Sequence, residues 1–184
     1  FAPHGGSGRH FLNHYGAPPA EAIVIGLGGV GQGALRTLLK LGVRVRAFDI
    51  DPGARRRTLM QWEDSPLAVF DISELGNHLE LADVIFNCVL WPKDRDDHLI
   101  FRRDLAKLRS TCVLVDISCD PAGAIETSRA TTWDDPVYTE EGIRHFCVDN
   151  IPGAVPVTAS AGYARDLFDN IRLIAKTGAI EACR

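Results

Sequence analysis

The run Ile23-Val24-Ile25-Gly26-Leu27-Gly28-Gly29-Val30-Gly31 sets three glycines at GxGxxG spacing, and an acid, Asp49, follows about twenty residues on. Each glycine has its own task in that pattern. Gly26 allows a tight turn where a strand ends. Gly28 has no Cβ, so a diphosphate can approach the backbone. Gly31 lets the next helix lie close on the sheet. The first amides of that helix have no partner within it and stand at the positive end of its dipole, which suits an anion. Leu27, Gly29 and Val30 complete the loop, and Asp49, with Ile50 beside it, is placed to accept hydrogen bonds from ribose hydroxyls. Residues of these types at this spacing bind a dinucleotide.

Such a site needs a strand, a turn, a helix and a second strand, in that order. Ala22–Gly26 reads as the first strand and Gly28–Leu41 as the helix, closed by Gly42. Val43–Asp49 reads as the second strand. Gly53–Glu63 is predicted helical, with Asp51-Pro52 setting its start. Leu67–Phe70, Asp83–Leu90, Thr111–Ile117 and Arg144–Val148 are predicted as further strands. Their near-continuous apolar runs fit strands buried on both faces of a parallel sheet. A last helix, Thr158–Thr177, carries an apolar stripe at Leu167, Ile171 and Ile174 and stops at Gly178. The expected fold is α/β: a doubly wound, mostly parallel, Rossmann-type sheet of about six strands. Residues 1–20, rich in Gly, Pro and His, read as a lead-in, 21–156 as the dinucleotide-binding domain, and 157–184 as a C-terminal helix.

Composition narrows the function. The 184 residues suit one domain, and 20 basic against 24 acidic residues give a net charge of −4, which argues against a nucleic-acid partner. The clusters Arg55-Arg56-Arg57 and Arg102-Arg103 read as solvated surface. No apolar run reaches the length of a membrane span and no signal peptide opens the chain. Cys88, Cys112, Cys119, Cys147 and Cys183 show no metal-like spacing and read as reduced thiols of a cytoplasmic protein. No metal site is expected. His4, His10 and His14 fall in the lead-in without matching cysteines or acids.

An acid at Asp49 repels a 2′-phosphate, which favours NAD over NADP. Arginine pairs well with phosphate, so Arg44, Arg46 and Arg55 bear on the choice. By alternation Arg44 and Arg46 face away from Asp49. Adenylating enzymes of the ubiquitin-activating type share the glycine loop and an Asp-x-Asp like Asp49-Ile50-Asp51. The continuation Pro52-Gly53-Ala54-Arg55 and the lack of paired cysteines depart from them. Nucleotide-sensing domains of potassium transport systems also use this unit, without chemistry.

The second half separates these readings. Val113-Leu114-Val115-Asp116-Ile117-Ser118-Cys119-Asp120-Pro121-Ala122-Gly123, then Thr131-Thr132-Trp133, then Cys147-Val148-Asp149-Asn150-Ile151-Pro152-Gly153, resemble the alanine dehydrogenase and pyridine nucleotide transhydrogenase family. The lead-in Gly8-Arg9-His10-Phe11 through Ala20 is similar to the segment before that family's first strand. Val89-Leu90-Trp91-Pro92 with Asp97-His98-Leu99-Ile100 is closer to carboxyethylornithine synthase, and saccharopine dehydrogenases share the Asp-x-Ser-Cys-Asp run.

The resemblance implies that Gly26, Gly28 and Gly31 cradle the diphosphate of NAD and that Asp49 holds the adenosine ribose. It implies that Cys88, Val89 and Leu90 line the cofactor, with Ile117, Ser118 and Asn150 along the nicotinamide half. Asp120 matches an acid beside the nicotinamide and substrate, and a carboxylate there can orient an amine or assist proton transfer. Asp120 followed by Pro121 also reads as a turn, as does Asn150-Ile151-Pro152-Gly153. Asp116 reads as a structural acid bonding nearby backbone, and Glu126, Ser128 and Arg129 as braces of the loop.

Family members carry a second domain, split around the nucleotide domain, that supplies a lysine and a histidine. The expectation is that neither half is present here, so that the chain binds NAD and turns over slowly or not at all. The implied parent is a homo-oligomeric amino-acid dehydrogenase. It transfers hydride between NAD(H) and an amino or imino acid, by oxidative deamination or by reductive coupling to a 2-oxo acid. The other reading is a stand-alone nucleotide-binding or regulatory module.

Overall fold

Strand β1 (Glu21–Ile25) alternates between two apolar cores. Ala22 and Val24 face one, Ile23 and Ile25 the other, and all four are buried. These relations come from a computed structural model that describes residues 8, 10–12, 16, 18–92, 94–119 and 123–179. The remaining strands are β2 (Arg44–Asp49), β3 (Leu67–Asp71), β4 (Val84–Asn87), β5 (Val113–Asp116), β6 (Val137–Glu140) and β7 (Ile143–Phe146). They form one sheet in the order β3-β2-β1-β4-β5-β7-β6, parallel throughout except for β6 against β7. The order reverses between β1 and β4. In open α/β sheets the ligand crevice lies at that reversal, beyond the carboxyl ends of the strands.

One face is covered by helix α1 (Gly29–Lys40), which buries Leu35, Leu38 and Leu39 against Ala22, Val24, Val45 and Ala47. Fully burying each such leucine contributes about 1.5–3 kcal/mol. Gly42, at φ +77°, lets the chain reverse into β2. Helix α2 (Pro52–Gln61) starts where the Asp51 carboxylate accepts the amides of Gly53 (2.8 Å) and Ala54 (3.0 Å). Those two amides, and then Arg57, hold the Asp51 carboxyl below its usual value. The other face is covered by short 3₁₀ turns, Ile72–Asn77, Leu79–Leu81 and Arg102–Lys107, which supply Leu75, Leu79 and Leu105.

The sheet has seven strands where about six were expected. The extra one, β6, is an antiparallel edge strand reached through Glu141 and Gly142, at φ +48° and +81°. A hairpin turn of this kind is normally signalled by Asn-Gly or Asp-Gly, and a glutamate in the first position hides it. Strands β4 and β5 are shorter than predicted, so Cys88, Val89 and Leu90 leave the sheet and enter the loop beyond it.

Residues up to Asp149 form one compact unit and those from Asn150 a second. The second unit holds a 3₁₀ turn, Ile151–Ala154, and helix α3 (Pro156–Thr177). Helix α3 starts two residues before the predicted Thr158, because Pro156 suits a first helical turn, and it ends at Gly178 (φ +81°). Among the described residues no helix is long and apolar enough to cross a membrane.

Candidate functional site

The turn from β1 into α1 is built on close backbone approach. Gly26 adopts φ +91°, and a Cβ there would lie 3.0 Å from the Cys88 carbonyl oxygen. A Cβ on Gly31 would fall 1.9 Å from the Gly26 carbonyl oxygen, so only glycine lets this helix start so near the strand. Gly28 differs: a Cβ built there meets nothing within 4 Å. The space over Gly28 is open, as a backbone cradle for a ligand requires.

The helix that follows has no side-chain cap and no acid in its first turn, whereas α2 is capped by Asp51. The early amides of α1 therefore keep their donors and the positive helix end is not neutralised, which favours an incoming anion. Asp49, ending β2, accepts the amide of Leu27 at 2.6 Å and that of Asp51 at 2.8 Å. Each carboxylate oxygen keeps a further lone pair for another donor.

Above this turn lies a cavity of about 540 Å³, within the usual range for small-molecule sites. Gly26, Gly28, Gly29, Val30, Asp49, Ile50, Cys88, Val89 and Leu90 all line it. Leu27 and Gly31 do not line it, Leu27 being buried and Gly31 packed on Gly26. The rest of the wall, Phe48, Ile72, Trp91, Pro92, Arg95 and Leu99, was not assigned to the site from sequence, although Trp91, Pro92 and Leu99 lie in a segment noted there for its resemblance. Phe48 and Ile72 are ordinary core residues by type. Trp91 and Arg95 gave a weak signal, an aromatic and a cation in the loop after β4.

The loops after β4 and β5 are joined by a buried pair. Asn87 Nδ2 donates to Asp116 Oδ1 at 2.8 Å, and the amides of Ser118 (3.2 Å) and Cys119 (3.0 Å) donate to the same oxygen. Asp116 thus bonds nearby backbone, as expected. Ser118 Oγ donates to the Val89 carbonyl oxygen (2.6 Å) and the Ile117 amide to the Asn87 carbonyl oxygen (3.0 Å). Ile117 and Ser118 brace the loop that carries Val89 and do not themselves line the cavity. Asp120 lies outside the described residues. Asn150 opens the second unit, where its side chain accepts the Gly153 amide at 3.1 Å. Glu126, Ser128 and Arg129 have bracing partners: the Arg102 amide, the Cys147 thiol and the Tyr138 ring.

Cys88 is half-buried on the cavity wall. Burial, then the Asp116 charge, pushes its thiol up to about 12, so it is a neutral packing group. Cys112, Cys119 and Cys147 are buried, and Cys183 lies outside the described residues.

A doubly wound sheet with an uncapped glycine turn at its reversal point and an acid ending the second strand defines a dinucleotide-binding domain. The chain belongs to the family described as alanine dehydrogenase/PNT, C-terminal domain, whose family model matches residues 3–184. It is 32% identical over 181 residues to an alanine dehydrogenase of Mycolicibacterium smegmatis, covering 98% of this chain and 49% of that protein. It is 34% identical over 157 residues to an alanine dehydrogenase of Halomonas elongata, covering 85% and 42%. Among solved structures, an L-alanine dehydrogenase superposes with a TM-score of 0.85 at 27% identity, over 98% of this chain and 50% of that one. A transhydrogenase from Sinorhizobium meliloti superposes with a TM-score of 0.70 at 26% identity, over 82% and 43%. The chain spans about half the length of the curated relatives it matches.

Proposed function

We propose that this chain is the NAD-binding domain of an amino-acid dehydrogenase that moves hydride between NAD(H) and an amino or imino acid. One observation carries the reading: Gly28 is open above an uncapped helix start, inside a cavity that also holds Asp49. These residues fit a dinucleotide. Gly26, Gly28 and Gly31 form the turn, and the amides at the start of α1 hold the diphosphate. Asp49, with Ile50 beside it, receives the ribose hydroxyls. Cys88, Val89 and Leu90 flank the path beyond, and Ile117 and Ser118 support it from the loop after β5. When bound, the nicotinamide supplies the hydride acceptor or donor.

Three arginines bear on NAD against NADP, and each has partners within the chain. Arg44 and Arg46 pair with Glu21 at the far end of β1. Arg55 bonds the carbonyl oxygens of Asp49 (2.7 Å) and Ile50 (3.1 Å) and pairs with Asp71 (2.8 Å). The acid at Asp49, with Arg44 and Arg46 paired away from it, supports NAD. The names of the relatives support alanine-type oxidative deamination over opine-type coupling. Asp120 is the acid that orients the substrate amine or assists its proton transfer. In this reading residues 21–156 bind the cofactor and the following helix leads to a substrate domain. The whole protein is a cytoplasmic homo-oligomer.

Calorimetric titration with NADH, NADPH and ATP tests the reading. NADH binds most tightly, and tighter binding of ATP overturns it in favour of an adenylate-binding module.

A further inference from the structure

A diphosphate brings negative charge into a cavity whose glycine loop offers amides and no cationic side chain. Among the described residues lining it, Arg95 is the sole base and Asp49 the sole acid. Arg95 also has partners on two sides. Its guanidinium lies 4.3 Å from the centre of the Trp91 ring, and Trp91 is itself buried. Asp97 accepts from Nε at 2.6 Å and from Nη2. Arginine has five N–H donors, and this leaves Nη1 without a hydrogen-bond partner among the described residues. A guanidinium backed by a ring and gripped along one edge presents its other edge in a set plane, the geometry that suits phosphate oxygens. An ordinary surface ion pair needs neither the ring nor a place in the cavity wall.

We infer that Arg95 is a phosphate-binding residue of this site, supplying the cation that meets the cofactor diphosphate, with Trp91 and Asp97 as its positioning residues. The inference rests on the dinucleotide reading above. The loop after β4 then contributes charge to the site as well as apolar wall.

The test is a calorimetric series on the 184-residue chain with adenosine, ADP, ADP-ribose, NADH and NADPH, for the parent, R95Q and R95K. In R95Q the affinity for ADP, ADP-ribose and NADH falls about tenfold, while that for adenosine stays within about twofold. R95K, which keeps the charge and loses the fork, lies between, and it carries the test should R95Q not fold. Affinity of the parent for ADP falls more steeply with added NaCl than that of R95Q. Unchanged ADP and ADP-ribose binding in both variants overturns the inference and leaves the dinucleotide reading standing. Equal loss of adenosine and ADP also overturns it, since the side chain would then shape the adenine pocket. Loss confined to NADPH overturns it in favour of a 2′-phosphate contact. If the parent binds none of the five ligands, the dinucleotide reading itself fails.

Discussion

The Asp49 carboxylate accepts the Leu27 amide at 2.6 Å, so the acid ending β2 is tied to the glycine turn that ends β1. The two loops proposed to receive diphosphate and ribose are therefore joined before any ligand arrives. Replacing Asp49 with Ala removes both the tie and the ribose acceptor. NADH affinity should fall at least tenfold, about 1.5–3 kcal/mol for a lost charged hydrogen bond. Removing the repelling charge should also narrow the preference for NADH over NADPH. Titrations of D49A with both cofactors check this, and an unchanged NADH/NADPH ratio counts against a ribose-facing acid.

Gly28 and Gly31 should fail in opposite ways. Gly31→Ala forces a Cβ to 1.9 Å from the Gly26 carbonyl oxygen, so the turn must move, at a cost of about 1–3 kcal/mol or more in stability. Gly28→Ala meets nothing within 4 Å. Its melting temperature should match the parent, while NADH affinity drops about tenfold or more because the methyl occupies the diphosphate's approach. Thermal melts beside titrations separate the two.

Asp116 concentrates its bonding on one oxygen. Oδ1 accepts from Asn87 and two amides, while the buried Oδ2 has no hydrogen-bond partner among the described residues. Asn87→Ala removes the side-chain donor to Oδ1 and should cost about 1–3 kcal/mol. Urea denaturation measures the loss, and hydrogen exchange should rise at Val89 and Ser118, whose loops the pair unites.

His145 sets a pH limit on stability. It is fully buried, its Nδ1–H donating to the Ile143 carbonyl oxygen (3.0 Å) and its Nε2 facing the Thr127 hydroxyl (2.8 Å). Burial holds it below the ordinary histidine value of 6.5. The unfolded chain therefore takes up a proton first as pH falls. The contribution is fully present above about 6.5 and is lost as pH drops toward the folded-state value. The urea midpoint should fall between pH 7.5 and 5.5. The same slope in His145→Gln would assign the effect elsewhere.

What the sequence made legible was local. The glycine turn, the Asp51 cap with Pro52, and the acid at the end of β2 each depend on neighbours a few residues away, and each lies where the residue types demand. The hidden parts depend on distant pairings. Strand β6 was missed because a glutamate occupies a left-handed turn position, and the Asn87–Asp116 tie because its partners are 29 residues apart. Trp91 and Arg95 join the cavity wall only through the path of the loop after β4, which no periodicity reports.

The most direct measurement follows backbone amide resonances of the ¹⁵N-labelled chain during titration with NADH. The largest shifts should fall on Leu27, Gly28, Gly29, Val30 and Gly31, with Asp49 and Ile50 next. Saturating NADH that leaves those amides unmoved, or that shifts another region of the sheet instead, would contradict a diphosphate held at the start of α1.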